Sequence, residues 1–341
     1  MNRQPARSAR QQRGLTLVEL MVSLVLGLLL ILGVISVYLT NQQAARANEG
    51  LARMQEGGRI AFELISRELR QAGGNACGAR LVANVLNGGA STWYTNFDAG
   101  PVRGVEGNVE VPDVVPTGTA AGERVAGTDG VIVLSANATD AATVVSHDPP
   151  AASFFLNTVD HGISPGEIVM VCDQQSAAIT QITSAQPGIN QTIVHNTGTA
   201  APGNCTKGLG YPTLCTTNGT PKTFAGGSIV SRLNPSFWYI GNNPRGGRSL
   251  YRFSPPATRE EITDGVSDLQ LRYLTRKVLD GSLDTDWLDA SAVQGWADSA
   301  SHYPVAVRLQ LSLESLQRVG TDQQPLRREQ VYAATLRNRV P

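Results

Sequence analysis

Residues 15 to 39 are almost wholly apolar, and Glu19 is the single charged side chain among them. At about 1.5 Å per residue a helix of this length reaches roughly 37 Å, enough to cross a bilayer with some tilt. The 14 residues before it, MNRQPARSARQQRG, hold Arg3, Arg7, Arg10 and Arg13 and no acid, so the positive-inside bias keeps that end in the cytoplasm. A secretory signal has a shorter apolar core followed by small residues at its cleavage point, whereas here the small residue, Gly14, precedes the run. Whatever follows residue 39 must therefore fold on the far side of the membrane. With 41% hydrophobic and 16% charged residues, the chain as a whole is too apolar and too weakly charged for a disordered protein.

Glu19 is the anomaly. A carboxylate inside a membrane helix costs about 2.5 to 3.5 kcal/mol even on lenient scales, and such a group normally has a partner. The string Arg13-Gly14-Leu15-Thr16-Leu17-Val18-Glu19 resembles the class III signal of type IV prepilins: a basic leader ending in Gly, a hydrophobic first mature residue and Glu at mature position five. The resemblance implies that a membrane prepilin peptidase cuts after Gly14 and methylates the new amino terminus at Leu15, where that family most often has Phe. It also implies a role for Glu19 in assembly, neutralising the amine of a neighbouring subunit. At about 4 Å such a pair attracts by roughly 4 kcal/mol at an effective dielectric near 20, more than the insertion cost.

Beyond the membrane run, residues 40 to 72 contain no Pro and read as one continuous helix up to the Ala72-Gly73-Gly74 stop. Arg46, Glu49, Arg53, Glu56, Arg59, Glu63, Arg67 and Arg70 recur at steps of three or four and mark a face laced by ion pairs. Leu51, Met54, Gly58, Ala61, Phe62, Ile65, Leu69 and Ala72 gather on the opposite face, which should pack on the body of the protein. Ile60 and Leu64 project near the charged face and are expected to touch a neighbouring subunit. In the membrane half, Ser23 and Gly27 form a small-xxx-small pair suited to close helix approach.

From residue 75 the pattern changes to short apolar or alternating runs, at 130–134, 167–172, 178–182, 228–233, 237–240, 250–253, 266–274 and 305–313. These are strand candidates. The turn Asn242-Asn243-Pro244-Arg245-Gly246-Gly247 makes 238–253 a hairpin. Segments 84–128 and 183–227, rich in Gly, Thr, Asn and Pro, read as long surface loops. The expected organisation is a leader (1–14), a transmembrane half (15–39) and an amphipathic half (40–73) of one helix, and a periplasmic β-rich head (74–341). The fold class is α+β and pilin-like, with the helix packed on an antiparallel β-sheet.

The body carries a second resemblance. Arg70-Gln71-Ala72-Gly73 followed by Cys77, the segment 266–273, Trp287 and Trp296 before Pro304-Val305-Ala306-Val307-Arg308-Leu309, and the closing Leu336-Arg337-Asn338-Arg339 resemble the PilW group of minor pilins, and type II secretion pseudopilins share several of these. The resemblance implies a minor pilin of the inner membrane that helps initiate or cap a type IV pilus, with other minor and major pilins and an inner-membrane assembly machine as partners. A pseudopilin of a type II secretion system is the alternative within this class.

A different class, a signal-anchored periplasmic hydrolase, has little to stand on. His147, His161, His195 and His302 are scattered, and HExxH, GxSxG and Walker patterns are absent from the sequence. The pairs His147-Asp148 and Asp160-His161 read as solvated turns, so no enzyme and no cofactor is expected. Asp280, Asp284, Asp286 and Asp289 place four carboxylates in ten residues, but Trp287 and Leu288 interrupt them and a calcium loop's closing Glu is missing; an acidic hairpin loop is the reading. Without the leader arginines, 24 basic residues face 28 acidic ones, and nucleic acid is not an expected partner.

In the oxidising periplasm four cysteines favour disulfides, with three connectivities open. Cys205 and Cys215 bracket a short loop; Cys77 follows the helix, and Cys172 ends an apolar strand that can lie against it. Cys205–Cys215 and Cys77–Cys172 are the expected pairs.

Overall fold

A computed structural model describes residues 16–339 except 90, 112–114, 137–140, 199–200, 256–257, 298–299 and 319–323. It is α+β, with a helix, α1, over Leu17–Gln71. The strands run, in chain order, β1 Leu81–Asn84, β2 Val102–Val105, β3 Gly130–Val133, β4 Ala142–Asp148, β5 Ser153–Leu156, β6 Ile168–Cys172, β7 Ser176–Gln181 and β8 Ser184–Ala185. They continue with β9 Thr192–Val194, β10 Ile229–Arg232, β11 Ser236–Asn242, β12 Arg248–Ser254, β13 Thr258–Asp264, β14 Val266–Lys277, β15 His302–Glu314 and β16 Arg327–Thr335.

Three sheets form where one was expected. β14, β15 and β16 make an antiparallel meander; β13-β12-β11-β3-β2 make a second antiparallel sheet. The third has the order β1-β7-β6-β10-β4-β5-β9-β8, antiparallel except that β1 and β7 run parallel. Its strands β4 to β10 are inserted between β3 and β11, two strands that pair directly. The expectation of strands at 266–274 and 305–313 holds because Leu269, Leu271 and Tyr273 and then Val307, Leu309 and Leu311 alternate into the core.

The segments read as loops differ. β2 lies within 84–128, and β8 and β9 lie within 183–227. Trp93, Phe97, Val111 and Val115 from the first segment cover the outer face of the second sheet, against Phe237, Tyr239, Tyr251 and Phe253. These strands are four residues or fewer, too short to show an alternating pattern, so their stability comes from neighbouring strands.

α1 packs its second half into a core made by both smaller sheets. Met54, Ala61, Ile65 and Leu69 meet Val266, Leu269, Leu311 and Leu313 of the meander and Trp238, Ile240 and Leu250 of the second sheet. Gly57 and Gly58 are both buried where the helix lies close against the sheets. A Cβ on Gly58 would sit 2.2 Å from Gln330 Oε1 and 2.7 Å from Leu313 Cδ1. Leu313 is buried and fixed in the core, while the half-buried Gln330 could swing aside only by giving up the hydrogen bond its Oε1 accepts from the Tyr332 hydroxyl at 2.6 Å. Gly58→Val should lower stability by about 2–3 kcal/mol in urea unfolding of the full chain in detergent. Gly33→Ala, where nothing lies within 4 Å, should leave the head's midpoint unchanged; equal effects would mean that this approach is slack. Gly73, at φ +70, ends the helix in a conformation that favours glycine. Asn338 Nδ2 donates to the carbonyl of Ala72 at 3.0 Å and so ties the chain's end to the helix's end.

Candidate functional site

The helix begins at Leu17 because Thr16 caps it: Thr16 is extended (φ −74, ψ 149) and its hydroxyl accepts the N–H of Glu19 at 3.3 Å. Gly14 and Leu15, the expected cleavage and methylation positions, lie outside the described residues. From Leu17 to Leu39 every large apolar side chain is exposed, Leu17 at 76% and Leu30 at 72%. By length and composition this helix can cross a membrane. The head first meets the helix where Arg46, Glu49 and Gly50 face Asp264, Gly265 and Leu313, so the 29 residues from Leu17 to Ala45, roughly 43 Å of helix, stand clear of the protein's own core. Among the described residues the Glu19 carboxylate has neither a hydrogen bond nor an ion pair. The Ser23 hydroxyl donates to the Glu19 carbonyl at 2.7 Å, and the space around Gly27 is open.

Further along, the charged face forms ion pairs between Glu49 and Arg53 and between Arg59 and Glu63, both at 2.8 Å. These are exposed pairs of small energetic weight. Ile60 is 37% exposed. Leu64 corrects the sequence reading: it is half-buried against the core, beside Ile262 of β13, because the second sheet reaches further around the helix than one sheet would. Leu51 departs in the other direction, 37% exposed, and Phe62 is half-buried, stacked on Tyr332 with ring centroids 4.3 Å apart.

The acidic residue that matters most to this junction is one the charge pattern passes over. Glu68 falls seven residues after Ala61, on the buried stripe, and is itself buried. Its Oε2 accepts the Trp238 indole N–H at 2.7 Å and the Ser236 hydroxyl, while Oε1 lies 2.8 Å from Arg252 Nε as an ion pair. Arg252 in turn donates to Asn234 Oδ1 at 3.1 Å. One helix carboxylate thus holds β11 and β12 and sets the rotation of the head about the helix. Its heptad relation to Ala61 was the available signal.

The cysteines pair as Cys77–Cys172 and Cys205–Cys215. The first joins the chain just past the helix to the last residue of β6; the second closes a loop on itself.

Two sequence readings need correction. His147 and His161 are not in solvated turns. His147 lies in β4 against His195, and His161 is buried with Nδ1 accepting the N–H of Ile163 at 3.0 Å, both drawn inward by strands the sequence did not reveal. In the acidic loop, Asp284 Oδ2 accepts the Thr275 hydroxyl and Oδ1 stands 4.0 Å from Lys277 Nζ and 3.9 Å from His302 Nε2, while Asp289 pairs with Arg272 at 3.3 Å. Among the described residues no group of three or more His, Cys, Asp or Glu side chains is placed to hold a metal ion.

A protruding apolar helix with a lone unpaired carboxylate, continuing into a head packed on its second half, defines a pilin-like architecture. The profile of the prokaryotic N-terminal methylation motif matches residues 9–35, the stretch that contains Gly14, Leu15 and Glu19. This is a prepilin-type signal, the mark of pilin and pseudopilin proteins that a prepilin peptidase processes. No curated protein and no solved structure matches the chain.

Proposed function

We propose that this chain is a minor pilin of the PilW kind, acting in the initiation or tip complex of a type IV pilus. The observation that carries the reading is the methylation motif set on a helix whose apolar half and Glu19 find no partner among the described residues. In this reading prepilin peptidase cuts between Gly14 and Leu15 and methylates Leu15, the basic leader having stayed in the cytoplasm and the head having crossed to the periplasm. The helix waits in the inner membrane until the assembly machinery draws it among other minor and major pilins. There Glu19 meets the amine of an adjacent subunit, and Ile60 lies against its helix. The head is structural and recruits no cofactor.

Glu19→Ala should leave cleavage and membrane insertion intact and reduce incorporation into pili at least tenfold, the scale of about 1.4 kcal/mol or more of lost pairing. The measurement is immunoblotting of sheared pili against the membrane fraction. Normal incorporation of the variant would defeat the pairing. Deletion of the gene should abolish surface pili; loss of protein secretion with pili intact would instead assign the chain to a type II secretion pseudopilus. Retained pili and secretion, with a hydrolytic activity lost, would return the hydrolase reading.

A further inference from the structure

His147 lies in β4 and His195 directly follows β9, yet their Nε2 atoms are 3.1 Å apart. His195 is fully buried and His147 half-buried. Phe154 stacks on His147 at 4.2 Å between centroids and tilts against His195 at 4.8 Å, with Phe224 at 6.3 Å from His147. The backbone N–H of Phe224 donates to His147 Nδ1 at 3.2 Å.

These contacts leave one arrangement of protons, assigned from the hydrogen-bond network. Nδ1 of His147 must be bare, so its proton sits on Nε2 and points at Nε2 of His195, which must be bare in turn. His195 then carries its proton on Nδ1, a buried atom without a partner among the described residues. Both rings are neutral. A second proton on His147 would take Nδ1 away from Phe224, and a second proton on His195 would set N–H against N–H.

The surrounding charges do not relieve this. Asp148, the acid beside His147, accepts the Ala151 N–H at 3.3 Å. Lys207 Nζ is fixed on the Pro150 carbonyl at 2.9 Å, and Lys222, paired with Asp173 at 2.6 Å, lies 5.2 Å from the Phe224 ring centre. Burial lowers His147 to about 4 against the partial opposition of Asp148, and burial, with His147 and Lys207 adding to it, lowers His195 to about 3. Because these bases are harder to protonate folded than unfolded, the local structure loses stability as pH falls from about 6.5 toward 4.

We propose that the His147–His195 pair is an acid-sensitive latch: neutral, it holds the 216–227 segment on the eight-stranded sheet through the Phe224 amide, and protonated, it releases that segment. The proposal is independent of whether the chain enters a pilus.

Hydrogen exchange of the full chain in detergent micelles, corrected for intrinsic rates, tests it between pH 7.5 and 4.0. The expected result is at least a tenfold loss of protection in peptides spanning 216–227, with β14 and β15 unchanged. Protection that persists to pH 4.0, or that vanishes together with that of β14 and β15, overturns the latch. His147→Gln and His195→Gln provide the second arm, in which the transition should shift or disappear. A wild-type midpoint retained in both variants also overturns it, and should either variant fail to fold, the wild-type profile decides alone.

Discussion

Replacing Glu68 with alanine should destabilise the head by about 3 kcal/mol, more than any exposed charge on the helix could. The loss has two parts. Arg252, whose side chain is 21% exposed, keeps Asn234 but loses its counter-ion, and the buried Trp238 N–H and Ser236 hydroxyl lose their acceptor. Each such group, left unpaired away from water, costs about 1–3 kcal/mol, reduced here where solvent can reach the edge of the site. Glu68→Gln keeps the shape and one acceptor oxygen and should cost about half as much. Pairing Glu68→Leu with Arg252→Met should recover most of the loss, since a buried pair is weak evidence of net stabilisation and its damage comes from removing one member. Urea unfolding of the four proteins measures this. A loss below about 1 kcal/mol for Glu68→Ala would show that the helix docks by apolar packing alone.

The second large effect should come from Cys77 and Cys172. Their bridge closes a separation of 95 residues, for which the chain-entropy relation gives about 4.7 kcal/mol, against about 2.7 for the separation of 10 at Cys205–Cys215. Residual structure in the unfolded chain lowers both values. The fold supports the same order. Seven strands of the eight-stranded sheet, β4 to β10, are inserted between β3 and β11, and the bridge pins them to the helix exit through Cys77, Cys172, Ala79 and Met170. Replacing both Cys77 and Cys172 with Ser should lower stability by about 3–5 kcal/mol and reduce accumulation of the exported protein. The same change at Cys205 and Cys215 should cost about 2 kcal/mol. Equal losses, or a larger loss from the short loop, would contradict the tethering role.

What the sequence determined by itself is what short-range periodicity can carry. An apolar run with one Glu, a change from a membrane-length run to a 3.6-residue stripe, and a Gly73 stop needed no partner to be legible, because each is decided by residues within a turn or two of one another. The alternation in β14 and β15 and the hairpin around Asn243 are of the same kind. The tertiary structure decided which side chains meet at a distance. Glu68 finds Ser236 and Trp238 at sequence separations of 168 and 170, and His147 finds His195 at 48. Such pairings depend on strand register and on the insertion that folds the eight-stranded sheet. Leu64 went to the core for a similar reason: the helical wheel gives its angle, but how far the sheets wrap around the helix fixes whether that angle is covered. The short strands β2, β8 and β9, of four, two and three residues, are too short to carry a period of their own and exist because neighbouring strands satisfy their backbone groups, a cause that no window of local sequence contains.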